Sequence, residues 1–164
     1  MAHLKKMILI GGILLLSSPL FAQLSVPAVF SSNMVLQRDR NIPVWGTAHP
    51  KERITVRFGD QLLKTVTDAA GNWRVTLPAM AANKTPQQLT INGKDTTLVY
   101  ENILIGDVWL CSGQSNMEYS VKRNSLFLPP AKGDDLEAVA LNSPPIPMLR
   151  IFNQNRNGKN AFWQ

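Results

Sequence analysis

The sequence predicts an all-β sandwich followed by the start of an α/β domain, and three patterns indicate this fold class. From Leu24 to about Ile105, short apolar runs are separated by Gly, Pro, Asn and Asp, without helical periodicity. Ile103 to Cys111 is almost continuously apolar, as in a strand covered on both faces. Helix-like stretches and another apolar run follow it, and the order strand, helix, strand is typical of an α/β domain.

Residues 1–22 are predicted to be an export signal. Lys5 and Lys6 precede the apolar run Met7–Leu16, and small and polar residues follow it. We expect cleavage after Ala22 and a periplasmic or extracellular protein. An apolar stretch of about ten residues is too short to span a bilayer, so a stable membrane anchor is not expected.

Charge and cysteine content exclude several classes of function. The chain has 17 basic and 11 acidic residues, and its net charge of +6 falls to about +4 when the two signal lysines are removed. The basic residues are scattered, so no nucleic-acid partner is predicted. Cys111 lies in an apolar run and is predicted to be a buried hydrophobe. With His3 and His49 as the two histidines, the sequence predicts no metal site and no cofactor.

The predicted sandwich spans residues 23–102 and contains three turns that suggest hairpins. Gly59-Asp60 separates an alternating strand at 54–58 from one at 62–66. Asp68 to Asn72 is predicted to join the latter strand to Trp73–Leu77 in a hairpin. Asn92-Gly93 is the strongest hairpin signal, between strands at 87–91 and 96–100.

The predicted α/β part covers residues 103–164. A helix is expected at 116–127, a second at about 134–141 and a buried strand at Met148–Phe152. About one βαβ unit of ~30 residues fits after Ser115, so we expect an incomplete domain. Phe162-Trp163 is expected to belong in a core.

Ser115 stands where the predicted strand gives way to a helix, which is where α/β sheets hold ligands. Gly113 permits a tight turn, and a helix N-terminus supplies backbone N–H groups and a positive dipole end. These groups suit an acyl-transfer oxyanion. A serine at this position is also a good helix N-cap, and spacing alone leaves both interpretations open.

Gly106 to Glu118, with the sequence Gly-Asp-Val-Trp-Leu-Cys-Ser-Gly-Gln-Ser-Asn-Met-Glu, closely resembles the first block of the sialate O-acetylesterase family of SGNH hydrolases. Leu24–Gln37 resembles the opening of that family's N-terminal β domain. Pro43–Gly46 and Gly71–Trp73 also resemble segments of that β domain. The resemblance therefore runs from Leu24 to about Phe152.

The resemblance implies a jelly-roll-like sandwich and a flavodoxin-like SGNH-hydrolase domain that removes acetyl groups from sugar hydroxyls. It implies that Ser115 is the nucleophile and that Gln114 and Asn116 contact the substrate, although Asn116 also suits helix capping. The family's Asp-x-x-His pair and its further oxyanion donors have no counterpart here, because no histidine follows Ser115. We therefore expect an N-terminal fragment that is inactive alone.

Two alternatives to a sialate esterase remain. The substrate could instead be acetylated xylan or another polysaccharide, because the first block does not distinguish these sugars. In a different class, the sandwich could be a non-catalytic carbohydrate-binding module in which Trp45 and Trp73 stack on sugar rings. Both tryptophans are more naturally expected in the core. His49, beside a proline, is expected to be a loop residue.

Overall fold

The computed structural model describes residues 23–113, 139, 142–144, 146–153 and 163, and its elements are seven β-strands. The predicted export signal and the predicted helix at 116–127 lie outside these residues, as does the helix at 134–141 apart from Val139. Within the described part, no helix is both long and apolar enough to cross a membrane.

The strands form two sheets. They are β1 (Val35–Gln37), β2 (Ile42–Thr47), β3 (Arg53–Phe58), β4 (Gln61–Val66), β5 (Asn72–Leu77), β6 (Asn83–Asn92) and β7 (Thr97–Gly106). One sheet has five strands in the order β1-β7-β6-β3-β4, and the other pairs β2 with β5. Among the strands that the structure describes, only the pairing of β1 with β7 is parallel.

Both sheets contribute to one apolar core. On β3, Ile54, Val56 and Phe58 are buried and alternate with exposed or half-buried residues. On β5, Trp73 and Leu77 are buried in the same core cluster. Because successive side chains of a strand point to opposite faces, this alternation places one face of each sheet in the core. The all-β part of the predicted fold class is confirmed.

Two of the three predicted hairpins are confirmed. The β3–β4 turn pairs Phe58 with Gln61, and the β6–β7 connection pairs Asn92 with Thr97. Gly93 is not in the left-handed region that a two-residue Asn-Gly turn requires. A Cβ added to Gly93 would lie 2.3 Å from Glu52 Oε1, so the glycine provides room for that carboxylate.

The predicted hairpin between β4 and β5 is wrong. The turn at Asp68–Asn72 exists, because the Asp68 N–H donates to the Asn72 carbonyl at 2.9 Å. However, β4 pairs with β3, whereas β5 pairs with β2 in the other sheet. Turn residues establish that the chain reverses direction, but they do not determine which strand becomes the partner. Here the chain crosses from one sheet to the other.

The buried carboxylate of Glu52 connects two turns. Its Oε2 accepts the His49 N–H at 3.0 Å, and its Oε1 accepts the Lys94 N–H at 2.7 Å. The Thr67 N–H donates to the Glu52 carbonyl at 3.0 Å, and the Glu52 N–H donates to the Thr67 hydroxyl at 2.8 Å. His49 therefore lies in a loop, as expected, and its backbone helps to satisfy a buried charge.

The predicted buried strand at Met148–Phe152 is wrong. Leu149 and Ile151 are exposed, and Phe152 forms only an isolated bridge with Trp163. Trp163 packs against the core cluster, and its Nε1–H donates to the Val29 carbonyl at 2.9 Å. Trp163 therefore packs against a core as expected, but that core belongs to the β-sheets.

Candidate functional site

Gln114, Ser115 and Asn116, the three predicted site residues, lie outside the described residues, which reach Gly113. Their predicted roles therefore remain predictions. The structure does describe the segment that leads to Ser115, namely the end of β7 and residues 107–113. It also describes what holds the beginning of this segment.

The parallel pairing of β1 with β7 brings together two blocks that resemble the esterase family. Val35 pairs with Leu104, and Gln37 pairs with Gly106, the first residue of the Ser115 block. The Leu104 N–H donates to the Met34 carbonyl at 3.1 Å. Sequence segments about 70 residues apart thus lie side by side at the point where β7 ends.

Gln37 and Arg38 bind the first residues after β7. The Val108 N–H donates to Gln37 Oε1 at 2.9 Å, and the Arg38 N–H donates to the Gly106 carbonyl at 2.9 Å. Arg38 Nε also donates to Asp107 Oδ1 at 2.8 Å. We call this set the β1 clamp. It fixes the direction in which the chain leaves the sheet.

The ion pair in the β1 clamp is a surface interaction. The hydrogen bond and charge of Asp107, together with the charge of Asp39 at 3.4 Å, raise the pKa of Arg38 above its usual value. The Arg38 and Asp107 side chains are both about half exposed. Pairs of this kind contribute little to stability, so the hydrogen bonds donated by the Arg38 and Val108 backbone N–H groups are the firmer part of the clamp.

The prediction of one buried strand from Ile103 to Cys111 is wrong in its second half. Ile103 to Ile105 are buried in β7, but the strand ends at Gly106. Trp109 and Leu110 are 86% and 94% exposed, and Cys111 is exposed rather than buried. No described strand pairs with this stretch. Apolar composition signals a need for burial, but it does not identify the part of the protein that covers the segment.

Among the described residues after Gly113, one polar side chain also binds next to β7. The Arg150 guanidinium donates to the carbonyl of Asn102 and, at 3.0 Å, to its Oδ1. The Asn102 amide in turn donates to Asn33 Oδ1 at 2.7 Å. Partial burial lowers the pKa of Arg150. The chain after the Ser115 block therefore returns to the β-sheets.

The two tryptophans considered as sugar contacts lie in different environments. Trp73 is 3% exposed and is part of the core, as expected. Trp45 is 41% exposed, so the expectation that it fills the core is wrong. It lines an open cleft of about 910 Å³ together with residues of β5. In register, Trp45 is opposite Arg74, on the face of β2 that points away from the core.

Sequence reasoning missed the roles of Gln37 and Arg38. Arg38 was grouped with the other scattered basic residues. Its position directly after the apolar strand β1 is the signal that could have marked it as a contact residue. Within the described ranges, no group of three or more His, Cys, Asp or Glu residues could hold a metal ion. The groups that the described residues offer for binding are therefore hydrogen-bonding groups and exposed aromatic side chains.

Comparison with solved structures identifies the class of protein to which the chain is similar. The chain resembles a carbohydrate acetylesterase from Xanthomonas citri, with a TM-score of 0.59 and 37% sequence identity, over 72% of this chain and 25% of that one. No protein-family model matches the chain. The similarity to this structure extends to sequence as well as fold.

Curated relatives with similar sequences are named sialate O-acetylesterases. Human sialate O-acetylesterase is 36% identical over 101 residues, covering 56% of this chain and 19% of the relative. The rat protein of the same name is 37% identical over 98 residues, covering 54% and 18%. The resemblance to the sialate O-acetylesterase family is therefore confirmed. The chain spans about a fifth of the length of these relatives.

Proposed function

We propose that this chain is the N-terminal part of an exported carbohydrate O-acetylesterase. The observation that carries the proposal is the Ser115 block, whose first residue, Gly106, ends β7 and lies in the β1 clamp. The relatives named as acetylesterases provide the second support. The substrate is an O-acetylated sugar, either a sialic acid or an acetylated polysaccharide such as xylan.

Ser115 is the proposed nucleophile. Its Oγ attacks the carbonyl carbon of the acetyl ester, the bond from that carbon to the sugar oxygen breaks, and the sugar oxygen takes up the proton lost by the serine hydroxyl, so that an acetyl-serine and a free sugar hydroxyl form. Water then attacks this ester, releases acetate and restores the serine. In this proposal the backbone N–H of Ser115 stabilises the oxyanion, while Gln114 and Asn116 contact the sugar.

The proposed general base comes from a part of the enzyme beyond these 164 residues, because no histidine follows Ser115. A serine hydroxyl without a base is a weak nucleophile, so the 164-residue chain alone should not turn over acetyl esters. His49 is not recruited, because it lies in a loop at the Glu52 carboxylate.

The exposed apolar residues after the clamp support a covering domain. Trp109 and Leu110 are large side chains with most of their surface free. Removing apolar surface from water contributes about 25 cal/mol per Å². In the proposal, the rest of the α/β domain packs on these side chains and completes the site around Ser115.

The test is hydrolysis of p-nitrophenyl acetate by the complete gene product. Ser115→Ala should lower kcat/KM by roughly 10³-fold or more, because it removes the nucleophile. Ser112→Ala is the matched control, since Ser112 is an exposed serine three positions earlier and has no proposed role. Unchanged turnover in the Ser115 variant would remove Ser115 from the mechanism.

Substrate class and export have their own measurements. Acetate release from 9-O-acetylated sialic acid and from acetylated xylan by the complete gene product distinguishes the two substrate proposals.

Sequencing of the exported protein from its N-terminus should begin at Gln23, because cleavage is proposed after Ala22. Retention of the first 22 residues in the mature protein would contradict the export proposal.

A further inference from the structure

The cleft beside Trp45 is separate from the segment that leads to Ser115. Residues of β2 and β5 line it together with the Ser25–Pro27 segment, whereas the Ser115 block follows β7 in the other sheet. Its volume of about 910 Å³ lies within the range of about 300 to 1,000 Å³ that ligand sites have. We call it the Trp45 cleft.

Trp45 is fixed on one side and open on another. On β2, Ile42 and Val44 point into the core, so Trp45 points outward. The Phe30 ring packs against its indole in an edge-to-face arrangement, with centroids 4.8 Å apart and an interplanar angle of 81°. The Trp45 side chain nevertheless remains 41% exposed. An indole that is held by packing but still accessible is a pre-organised stacking surface.

Hydrogen-bonding side chains line the cleft beside this indole. Arg74 is opposite Trp45 in register, and in the part of the chain that the structure describes its guanidinium has no ion pair. The Ser25 and Thr47 hydroxyls also line the cleft and hydrogen-bond each other at 2.9 Å, so only the accepting hydroxyl can still donate its proton to a ligand. A pyranose ring presents C–H groups on its face and hydroxyls at its edge, which this combination of aromatic surface and donors matches.

Trp73 and Asp68 complete the wall of the cleft. Trp73 is 3% exposed and its Nε1–H is fully buried, so this donor does not reach a ligand in the cleft. The Asp68 carboxylate is occupied by N–H groups of its own turn. The cleft therefore offers mainly donors and aromatic surface.

We propose that the Trp45 cleft binds an oligosaccharide, with a pyranose ring stacked on Trp45 and its oxygens bonded to Arg74. The residues that hold the glycan in this proposal are different from those proposed for catalysis. This binding does not depend on Ser115, on acetyl groups or on turnover. Neutral and acidic glycans both contain the pyranose ring on which the proposal depends. The experiment therefore tests one glycan of each kind.

The test is isothermal titration of the 164-residue chain with xylohexaose and, separately, with 6′-sialyllactose. At least one should bind, and Trp45→Ala should weaken that binding by roughly tenfold or more through loss of the stacking surface. Arg74→Ala should weaken it by about three- to tenfold, and more for the acidic sugar if its carboxylate is the partner.

Trp109→Ala is the matched control, because Trp109 is the more exposed tryptophan and lies outside the cleft. It should leave binding unchanged, and thermal unfolding should show that all three variants fold. Failure of the wild-type chain to bind either sugar, or full binding by Trp45→Ala, would overturn the proposal. Self-association that Trp45→Ala abolishes would overturn it as well, because a second chain would then cover the cleft.

Discussion

The described residues of 24–106 and those of 107–153 both include large apolar side chains, but these side chains are covered differently. In the first region one face of each sheet packs in the core, so Phe58 and Leu77 are buried, although Trp45, Leu62, Val66 and Val99 are partly exposed. In the second region Trp109, Leu110 and Ile151 are exposed. The comparison teaches that the first region contains an apolar core of its own, whereas the exposed apolar side chains of the second region have no cover among the described residues.

The largest expected difference between the regions is in core truncation. Phe58→Ala should lower the free energy of unfolding of the 164-residue chain by about 3 to 5 kcal/mol, because it leaves a cavity between the sheets. Leu110→Ala, an apolar truncation in the other region, should change it by no more than about 0.5 kcal/mol. Urea unfolding of both variants measures the contrast.

The same Leu110→Ala substitution tests whether Leu110 is covered in the complete gene product. There the proposed α/β domain covers Leu110, so Leu110→Ala should cost roughly 2 kcal/mol or more. A cost as small as in the 164-residue chain would mean that nothing packs on this segment. A large cost in the 164-residue chain would mean that the segment is already covered there.

A smaller effect is expected from the buried Glu52 carboxylate. Glu52→Ala removes the acceptor of the His49 and Lys94 N–H groups and should cost about 2 to 3 kcal/mol, because hydrogen bonds to a charged group are strong. Asp95→Ala, an exposed carboxylate in the same β6–β7 loop, is the control and should be nearly neutral. Equal costs in thermal unfolding would show that Glu52 connects nothing.

Features of the fold that depend on neighbouring residues could be predicted from the sequence, whereas features that depend on residues far along the chain could not. Alternation on β3 and β5 depends on neighbouring residues, and it identified their buried faces correctly. The pairing of β5 with β2 depends on residues far along the chain, and the turn at Asp68 contains no information about it. For the same reason, the continuous run after Gly106 was assigned as buried although nothing described covers it.

For the candidate site, the sequence identified the segments involved but not the contacts between them. Resemblance identified the Ser115 block and Leu24–Gln37 separately, but only the structure shows that these blocks pair side by side. Gln37 and Arg38 could not be assigned as partners of Val108 and Asp107, because that contact depends on the parallel register of β1 and β7. Trp45 was misplaced because its residue type favours burial, whereas its position on β2 points outward.

The smallest expected effect concerns pH and the turn that separates the two sheets. N–H groups of Asn72 and then Ala70 hydrogen-bond the Asp68 carboxylate and hold its pKa below the usual 3.8. Because the folded pKa is lowered, this stabilisation is present above about pH 4 and is lost as the pH falls through the lower folded value. Thermal unfolding of wild type and Asp68→Asn should differ at pH 7 and converge toward pH 2. A constant difference across this range would contradict the assignment.

The most direct test of the central claim is labelling of the complete gene product with a fluorophosphonate, followed by peptide mass spectrometry. The serine that attacks acetyl esters should be the one that forms the phosphonyl adduct, with loss of one fluoride. The account predicts a single adduct on Ser115 together with loss of acetylesterase activity. Inactivation with the adduct on another serine, while Ser115 remains unmodified, would contradict it.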